Sequence, residues 1–437
     1  MGPGLKIWGI VALMATLANG CSSDAPRERP EGSVGIGVIY SLSGPDAATG
    51  EDLTAGVKLA TEIVNGAYDL PLPLARGKGL ESHGGRTIDL VFCDAERDPA
   101  VAAQCVDHLA TDKKVLAIMG CYHSSITAFA SEQAEMLRIP FLNACSTSPM
   151  LIQRGLKWFF RTTPDDETFS KNFFDFLDGL LEAPGIAAEP RVALVYENGL
   201  WGTSVARAQK RLARKHGYRI VGDVSYSADS HEDSDSSPEA FREELDEIEA
   251  AMPAFVLQAS YAPDALALVK GYRERGMKPP AILGMNAGFI SPLFLDRLGP
   301  EAENILSREV WALDLQGKKP LVGKVNELFR ARHQRDMTGN SARTFTGLTV
   351  LAEAIDRARK LEPEAVRQAL ALTHLEGGRL VMPWDGIRFD TETHQNTLGG
   401  GIIVQVQEGR YVTVWPDHMA ARSPVLPAEL SPEEKGP

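Results

Sequence analysis

The chain has 437 residues, enough for two or three ordinary domains, and 44% of them are hydrophobic while 24% are charged. This balance is typical of a folded globular protein. The formal net charge is -13, and the sequence has no dense cluster of lysine and arginine. Because phosphate backbones would repel such a chain, nucleic-acid binding is not expected.

The N-terminus has the pattern of an export signal. Lys6 precedes a largely apolar run at 7–17, which is too short to cross a bilayer but suits the core of a signal peptide. Gly20 then precedes Cys21, as at bacterial lipoprotein processing sites, where the cysteine becomes the lipidated first residue. Two interpretations stay open. Residues 1–20 are a signal peptide followed by a lipidated Cys21, or ordinary signal peptidase cuts nearby and the cysteine is incidental.

A polar segment and four further cysteines follow. Residues 21–32 hold prolines and charges but no large apolar side chain, so they are predicted to be a flexible tether. The cysteines are Cys93, Cys105, Cys121 and Cys145. Export would place them in an oxidising compartment, where pairs can bridge. Four cysteines allow three pairings, and buried free thiols are a further alternative, so the pairing stays open.

Strands and helices alternate along the rest of the chain. Strands are predicted at 34–40, 87–92, 115–119 and 139–142, with helices at 49–64, 99–109 and 126–137. The pattern restarts with strands at 191–196, 219–226, 254–258 and 281–285 and helices at 202–216, 238–250 and 263–275. The pattern ends with a strand at 309–315, helices at 322–332 and 344–359, and short antiparallel strands between 387 and 415. The alternation predicts an α/β fold made of two units, each a parallel sheet covered on both faces.

Two other stretches, 67–85 and 229–237, are interpreted as insertions. The first is rich in proline and glycine, and the second is rich in acidic residues and serine. The acidic stretch lacks the spaced ligands and turn glycine of a calcium loop, so no metal site is predicted there.

Two predicted strand ends are candidates for a binding site, because ligands of open α/β sheets bind beyond the carboxyl ends of strands. The first strand end leads into Ser124 and Ser125 at the start of a helix, where hydroxyls and free backbone N–H groups suit a carboxylate. The second leads into a loop with Cys145 and Thr147. Each signal alone is weak, since a serine could serve only as a helix cap and the loop could be an ordinary polar loop.

Motifs along most of the chain support a resemblance. They include Ile36-Gly37-Val38, Ser43-Gly44-Pro45, Gly120 with Ser124-Ser125, Ile139-Pro140, Ser146-Thr147-Ser148-Pro149, Phe160-Arg161-Thr162-Thr163-Pro164, Trp201-Gly202, Gly386-Ile387-Arg388-Phe389-Asp390 and Trp415-Pro416. In their order and spacing, from Val34 to Pro416, they resemble the type I periplasmic solute-binding proteins, specifically the leucine/isoleucine/valine-binding group.

The resemblance implies two doubly wound lobes joined by a hinge of three crossovers. The expected first lobe comprises 33–160 plus 316–372, and the second 161–315 plus 373–420, with a tail at 421–437. The crossovers are expected near Arg161, Leu315 and Thr373.

The resemblance also implies roles for residues of the first lobe. In the family, a serine of the first loop binds the ligand carboxylate, and the match here is Ser124, with Ser125 beside it. The second loop supplies a backbone group and a threonine, which match Cys145 and Thr147. The carboxylate-binding half of the family site therefore looks intact.

In the second lobe the family pattern is altered. The family's aromatic residues match Trp201 and Tyr261. An acidic residue normally holds the ligand's ammonium group, but the matching residue here is Asn286, and a neutral amide holds an ammonium more weakly than a carboxylate does. In this interpretation an Asn286→Asp change would improve affinity for ligands that carry an α-ammonium.

The function implied by the resemblance is that of an extracytoplasmic, lipid-anchored solute-binding component of an ABC importer. It would bind an amino acid or related small carboxylate between its lobes and deliver it to an ABC permease. The alternative is a ligand-sensing receptor of the same fold without a transport role. An enzyme is not expected, because the sequence has no Gly-x-Ser-x-Gly elbow, zinc-spaced histidines or phosphate-binding loop. No cofactor or metal is expected either.

Overall fold

The computed structural model describes residues 30–182, 190–228, 237–277 and 281–426. The predicted signal peptide, Cys21, most of the tether, nearly all of the acidic stretch and most of the tail lie outside these described residues. Within them, no helix combines the length and the apolar character that a bilayer crossing requires.

The first part of the chain forms a parallel sheet. Its strands are Val34–Tyr40 (β1), Ile88–Asp94 (β2), Ala117–Gly120 (β3), Phe141–Asn143 (β4) and Phe159–Arg161 (β5). Between them lie the helices Ala47–Asn65 (α1), Pro99–Asp107 (α2) and Ser124–Leu137 (α3). The strand order is β2-β1-β3-β4-β5. All seven residues of β1 are buried, as expected for a strand that helices cover on both faces.

The middle of the chain supplies most of a second sheet. Its elements are Asp166–Leu181 (α4), Arg191–Glu197 (β6), Leu200–His216 (α5), Arg219–Tyr226 (β7), Arg242–Ala251 (α6), Phe255–Ala259 (β8), Ala262–Glu274 (α7), Ala281–Gly284 (β9), Pro292–Leu298 (α8) and Leu306–Glu309 (β10).

The last part of the chain contributes further helices and strands, including two strands of the second sheet. It comprises Pro320–His333 (α9), Gly339–Arg357 (α10), Pro363–Ala371 (α11), His374–Glu376 (β11), Gly386–Arg388 (β12), Ile402–Gln407 (β13) and Arg410–Trp415 (β14). The second sheet has the order β14-β13-β10-β9-β8-β6-β7, while β11 and β12 pair separately. β13 runs antiparallel to β10, and β14 antiparallel to β13.

The protein therefore has two α/β lobes, which we define by their sheets: the first lobe holds β1–β5 and the second lobe β6–β10 with β13 and β14. Helix α10 belongs with the first lobe, because it packs against α1. At Gly56 the two helices are so close that an added Cβ would lie 2.1 Å from the carbonyl oxygen of Ser341. The chain passes between the lobes after β5, between β10 and α10, and again before β13. The α/β fold class is confirmed, whereas the domain boundaries given above stay predictions.

Several predicted elements begin a few residues from their observed starts, and two of these differences have a clear cause. The strand predicted at 309–315 is wrong, because the strand is Leu306–Glu309, where it pairs with β9 and β13. Residues Leu313–Gly317 form a 3-10 turn instead. The helix predicted from residue 344 starts at Gly339, since the Thr338 hydroxyl accepts hydrogen bonds from backbone N–H groups of the first turn.

The cysteine pairing that the sequence left open is resolved in the structure. Cys93 of β2 and Cys105 of α2 form a disulfide across a sequence separation of 12 residues. Cys121 and Cys145 are free and buried.

The first of the two predicted insertions is packed rather than loose, because Leu70, Leu72, Ala75 and Leu80 within it are buried.

Candidate functional site

A small cavity lies where strand ends of the two lobes face each other. It is lined by Tyr122, Ser124, Cys145, Ser146, Thr147, Trp201, Tyr261, Asn286, Ala287, Arg308 and Arg343. Its volume of about 20 Å³ is enough for roughly one water molecule. Six of the seven residues predicted from the sequence are brought together here. The seventh, Ser125, is partly exposed and is not among the lining residues. A cavity of this size is too small to hold a solute as large as an amino acid.

The two predicted loops of the first lobe are neighbours because β3 and β4 pair in parallel. Ser146 ties them together: its hydroxyl donates to the carbonyl oxygen of Tyr122 at 2.9 Å and shares a hydrogen bond of 2.6 Å with the Thr127 hydroxyl. Asn143 adds a bond from Nδ2 to the carbonyl oxygen of Gly120, at 2.8 Å. These bonds hold the loops in one arrangement.

Ser124 and Thr147 end up on the same wall of the cavity. Ser124 is the first residue of α3, and its hydroxyl accepts a hydrogen bond from the backbone N–H of Ser148 at 3.3 Å. Both side chains are buried, at 1% and 3% exposure. Two hydroxyls beside the N-terminus of a helix favour an anionic group, because the terminal N–H groups and the helix dipole point toward it.

Cys145 forms a neutral part of the same wall. Burial raises the pKa of its thiol to about 12, so the thiol is protonated at neutral pH. A protonated thiol is a poor nucleophile. The side chain can therefore shape the cavity but does not supply covalent chemistry.

The aromatic residues predicted from the sequence form a cluster that spans both lobes. Trp201 lies in the first turn of α5, and Tyr261 immediately precedes α7. Their ring centroids are 4.9 Å apart. On the other side, the Tyr261 ring lies 4.4 Å from the ring of His123 and 6.0 Å from that of Tyr122, both in the first lobe. Ring contacts of this kind stabilise the approach of one lobe to the other.

Asn286 is engaged at both ends of its amide. Its Nδ2 donates to Oε1 of Glu309 at 2.5 Å, and its Oδ1 accepts from Nη1 of Arg343 at 3.0 Å. The second oxygen of Glu309 accepts from the backbone N–H of Val310 at 2.5 Å. A carboxylate is thus present directly behind Asn286, although it is not among the residues that line the cavity.

This geometry changes the expected result of an Asn286→Asp substitution. An aspartate would place its carboxylate against that of Glu309, where the amide now donates a hydrogen bond, and like charges in a buried position repel. We expect lower thermal stability and no gain in affinity for amino-acid ligands. Thermal melts and calorimetry of the variant with leucine would check both points. A stable variant with tighter leucine binding would contradict the expectation.

Two arginines of the cavity wall were not predicted from the sequence. Arg308 lies in β10 and Arg343 in α10, and each is 1% exposed. The Arg308 guanidinium lies 3.7 Å from the centre of the Phe169 ring and 3.6 Å from the Asp166 carboxylate. Burial lowers the pKa of Arg308 to about 9, so the group is still charged at neutral pH. No local signal in the sequence marks these two arginines, because polar residues lie next to both of them.

No metal centre accompanies these residues. Within the described ranges, no group of histidine, cysteine, aspartate or glutamate side chains is arranged to hold a metal ion. The side chains that line the cavity offer hydrogen bonds, charge and aromatic contact.

Comparisons with known proteins agree with this architecture. A family model described as "Periplasmic binding protein" matches residues 33–410. The Leu/Ile/Val-binding protein homolog 7 of Brucella suis biovar 1 is 26% identical over 398 residues, which are 90% of this chain and 94% of that protein.

Two solved structures share the fold. One is the branched-chain amino acid transporter substrate binding protein LivJ from Streptococcus pneumoniae in complex with isoleucine, with a TM-score of 0.69, 21% identity, and coverage of 90% of this chain and 100% of that one. The other is a solute binding protein of an ABC transporter from R. palustris in complex with benzoate, with a TM-score of 0.71, 17% identity, and coverage of 87% and 95%.

Proposed function

Because the chain belongs to the periplasmic binding protein family, in its type I leucine/isoleucine/valine-binding group, we propose that it is the solute-binding component of an ABC importer. Members of this family are extracytoplasmic binding proteins rather than enzymes. The proposed ligand is an amino acid or related small carboxylate, held between the lobes and delivered to an ABC permease. The main support is that Ser124 and Thr147 of one lobe and Trp201 and Tyr261 of the other line a single cavity.

The proposed mechanism is hinge closure. A ligand can shift the balance between open and closed states only through contacts that are better in the closed state. Contacts between the lobes support this mechanism: the Ser204 hydroxyl donates to the Ser148 hydroxyl at 2.9 Å, and Arg343 donates to Asn286 across the cavity. A ligand that touches both walls would add to these contacts, and the closed shape would be the signal that the permease reads.

A thermal-shift screen of the purified protein tests the binding function. The set should contain neutral amino acids, acidic amino acids, aliphatic acids and aromatic acids, because a ligand that binds the folded state raises the melting temperature. We expect at least one compound to raise it and to bind with one-to-one stoichiometry in calorimetry. Absence of any binder, or consumption of a compound during incubation, would contradict the proposal. Deletion of the gene should abolish uptake of the ligand, whereas a sensing receptor would leave uptake intact and alter a response.

We also propose that Cys21 carries a lipid anchor. The support is the short apolar run and the Gly20–Cys21 pair. The native protein should sediment with membranes, and a Cys21→Ser variant should not give a lipidated mature chain. Equal distribution of both proteins in the soluble fraction would favour cleavage by ordinary signal peptidase.

A further inference from the structure

The charged groups that line the cavity are all positive. Arg308 and Arg343 are in the wall, and among the described residues no aspartate or glutamate lines it. Each arginine has an acid nearby: Asp166, which also contacts the Thr147 side chain, is 3.6 Å from Nη2 of Arg308, and Glu309 is 3.8 Å from Nη2 of Arg343. The cavity wall therefore presents two guanidinium groups to a ligand.

Several donors of these guanidinium groups are unused. Within the described part of the chain, Nε and Nη1 of Arg308 and Nε and Nη2 of Arg343 have no hydrogen-bond partner. Buried donors are normally paired, and a buried N–H of a charged group that lacks a hydrogen bond is costly. Guanidinium donors in this fork geometry match the two oxygens of a carboxylate. These four nitrogen atoms are all hydrogen-bond donors, so an anionic group is the partner that suits them.

An ammonium group fits this wall poorly. The oxygen of Asn286 already accepts from Arg343, and its Nδ2 is a donor, so the amide offers an ammonium N–H at most one remaining lone pair. An ammonium would also lie beside two like charges with no carboxylate in the wall.

We propose that the ligand carries two acidic groups, one bound by Ser124 and Thr147 and the other by Arg308 and Arg343. This inference rests on the proposed binding function and narrows it to short dicarboxylates. Arg308 belongs to the second lobe, while Arg343 lies on α10, which packs on the first. An acidic group that contacts both arginines would offset their mutual repulsion as the lobes close. The second acidic group therefore contributes directly to closure.

The test compares ligands of equal length with the wild-type protein. Succinate and glutarate are measured by calorimetry beside butyrate and valerate, with aspartate and leucine as the amine-bearing counterparts, all at one pH and ionic strength. We expect at least one dicarboxylate to bind about 100-fold more tightly than the monocarboxylate of its length, since each charge-assisted hydrogen bond is strong. We also expect succinate to bind more tightly than aspartate.

Arginine variants give the second arm of the test. Arg343→Met and Arg308→Met should each reduce the preference for the dicarboxylate by at least about tenfold, and Arg343→Lys should keep part of it. Arg154→Met is the matched control, because Arg154 is bound to the Ser131 hydroxyl on α3 and does not line the cavity. If an arginine variant fails to fold, the wild-type comparison still decides the question.

The outcomes separate the two proposals. Equal or tighter binding of leucine, valerate or butyrate than of any dicarboxylate would overturn the diacid proposal and leave the binding function standing. A protein that binds no compound of any class would contradict the binding function itself.

Discussion

Affinity for the carboxylate ligand should fall by roughly 100-fold when Ser124→Ala and Thr147→Val are combined. Each substitution removes a hydroxyl from the cavity wall while nearly preserving side-chain volume. A hydrogen bond to a charged group contributes about 1.5–3 kcal/mol, so the loss of two corresponds to about 3 kcal/mol or more. Calorimetry with the best ligand from the screen measures the change directly.

Ser125→Ala is the matched control for this double variant. Ser125 is the next residue of α3, but it is not part of the cavity wall, so its removal should change affinity by less than about threefold. Melting temperatures without ligand should be checked for all variants, because the Ser124 hydroxyl also accepts from Ser148 N–H. Unchanged affinity in the double variant, or an equal loss in Ser125→Ala, would reject this anion site.

The largest expected effect on stability comes from adding one methyl group at Gly56. Helices α1 and α10 cross so closely there that a Cβ would lie 2.1 Å from the Ser341 carbonyl oxygen and 2.4 Å from the Thr344 hydroxyl. The first of these is backbone, so the helices must move apart. We expect Gly56→Ala to lower the free energy of unfolding by roughly 3 kcal/mol. Urea denaturation monitored by circular dichroism measures it.

The same chemical change at Gly179 should have the opposite sign. Gly179 lies within α4, is exposed, and has no atom within 4 Å of the place where a Cβ would stand. Alanine is favoured over glycine inside a helix by about 0.5–1 kcal/mol. Gly179→Ala should therefore stabilise the protein slightly. If both variants changed the free energy of unfolding equally, the close contact between α1 and α10 would not be the cause of the destabilisation at Gly56.

Local patterns were sufficient to predict most of the fold. The alternation of apolar strands with amphipathic helices predicted the parallel sheets, and the helix start predicted at Pro99 is confirmed for α2. The structure adds that the Asp98 side chain caps this helix. The start of β10 was misplaced because the apolar run after Glu309 resembles a strand. Its pairing with β9 and β13 decides the register, and a partner that lies nearly a hundred residues away cannot be read from local pattern.

The candidate site was predictable only in part, for the same reason. Ser124 and Thr147 each lie shortly after the end of a strand, so the rule for strand ends located their segments and the resemblance assigned their roles. Arg308 and Arg343 come from a strand and a helix that are in contact only in the folded chain. Nothing in their neighbouring residues predicts this contact. Asn286 was located by resemblance, but its contacts with Glu309 and Arg343 required coordinates.

The disulfide has a consequence for how the protein should be produced. It joins β2, an edge strand of the first sheet, to the adjacent helix, and closing a loop of this size restricts the unfolded chain by about 3 kcal/mol. Protein produced in a reducing cytosol would lack this disulfide in the first lobe, which also carries Ser124 and Thr147. Such preparations would be expected to unfold at a lower temperature than the oxidised protein, even though every residue that touches the solute is unchanged.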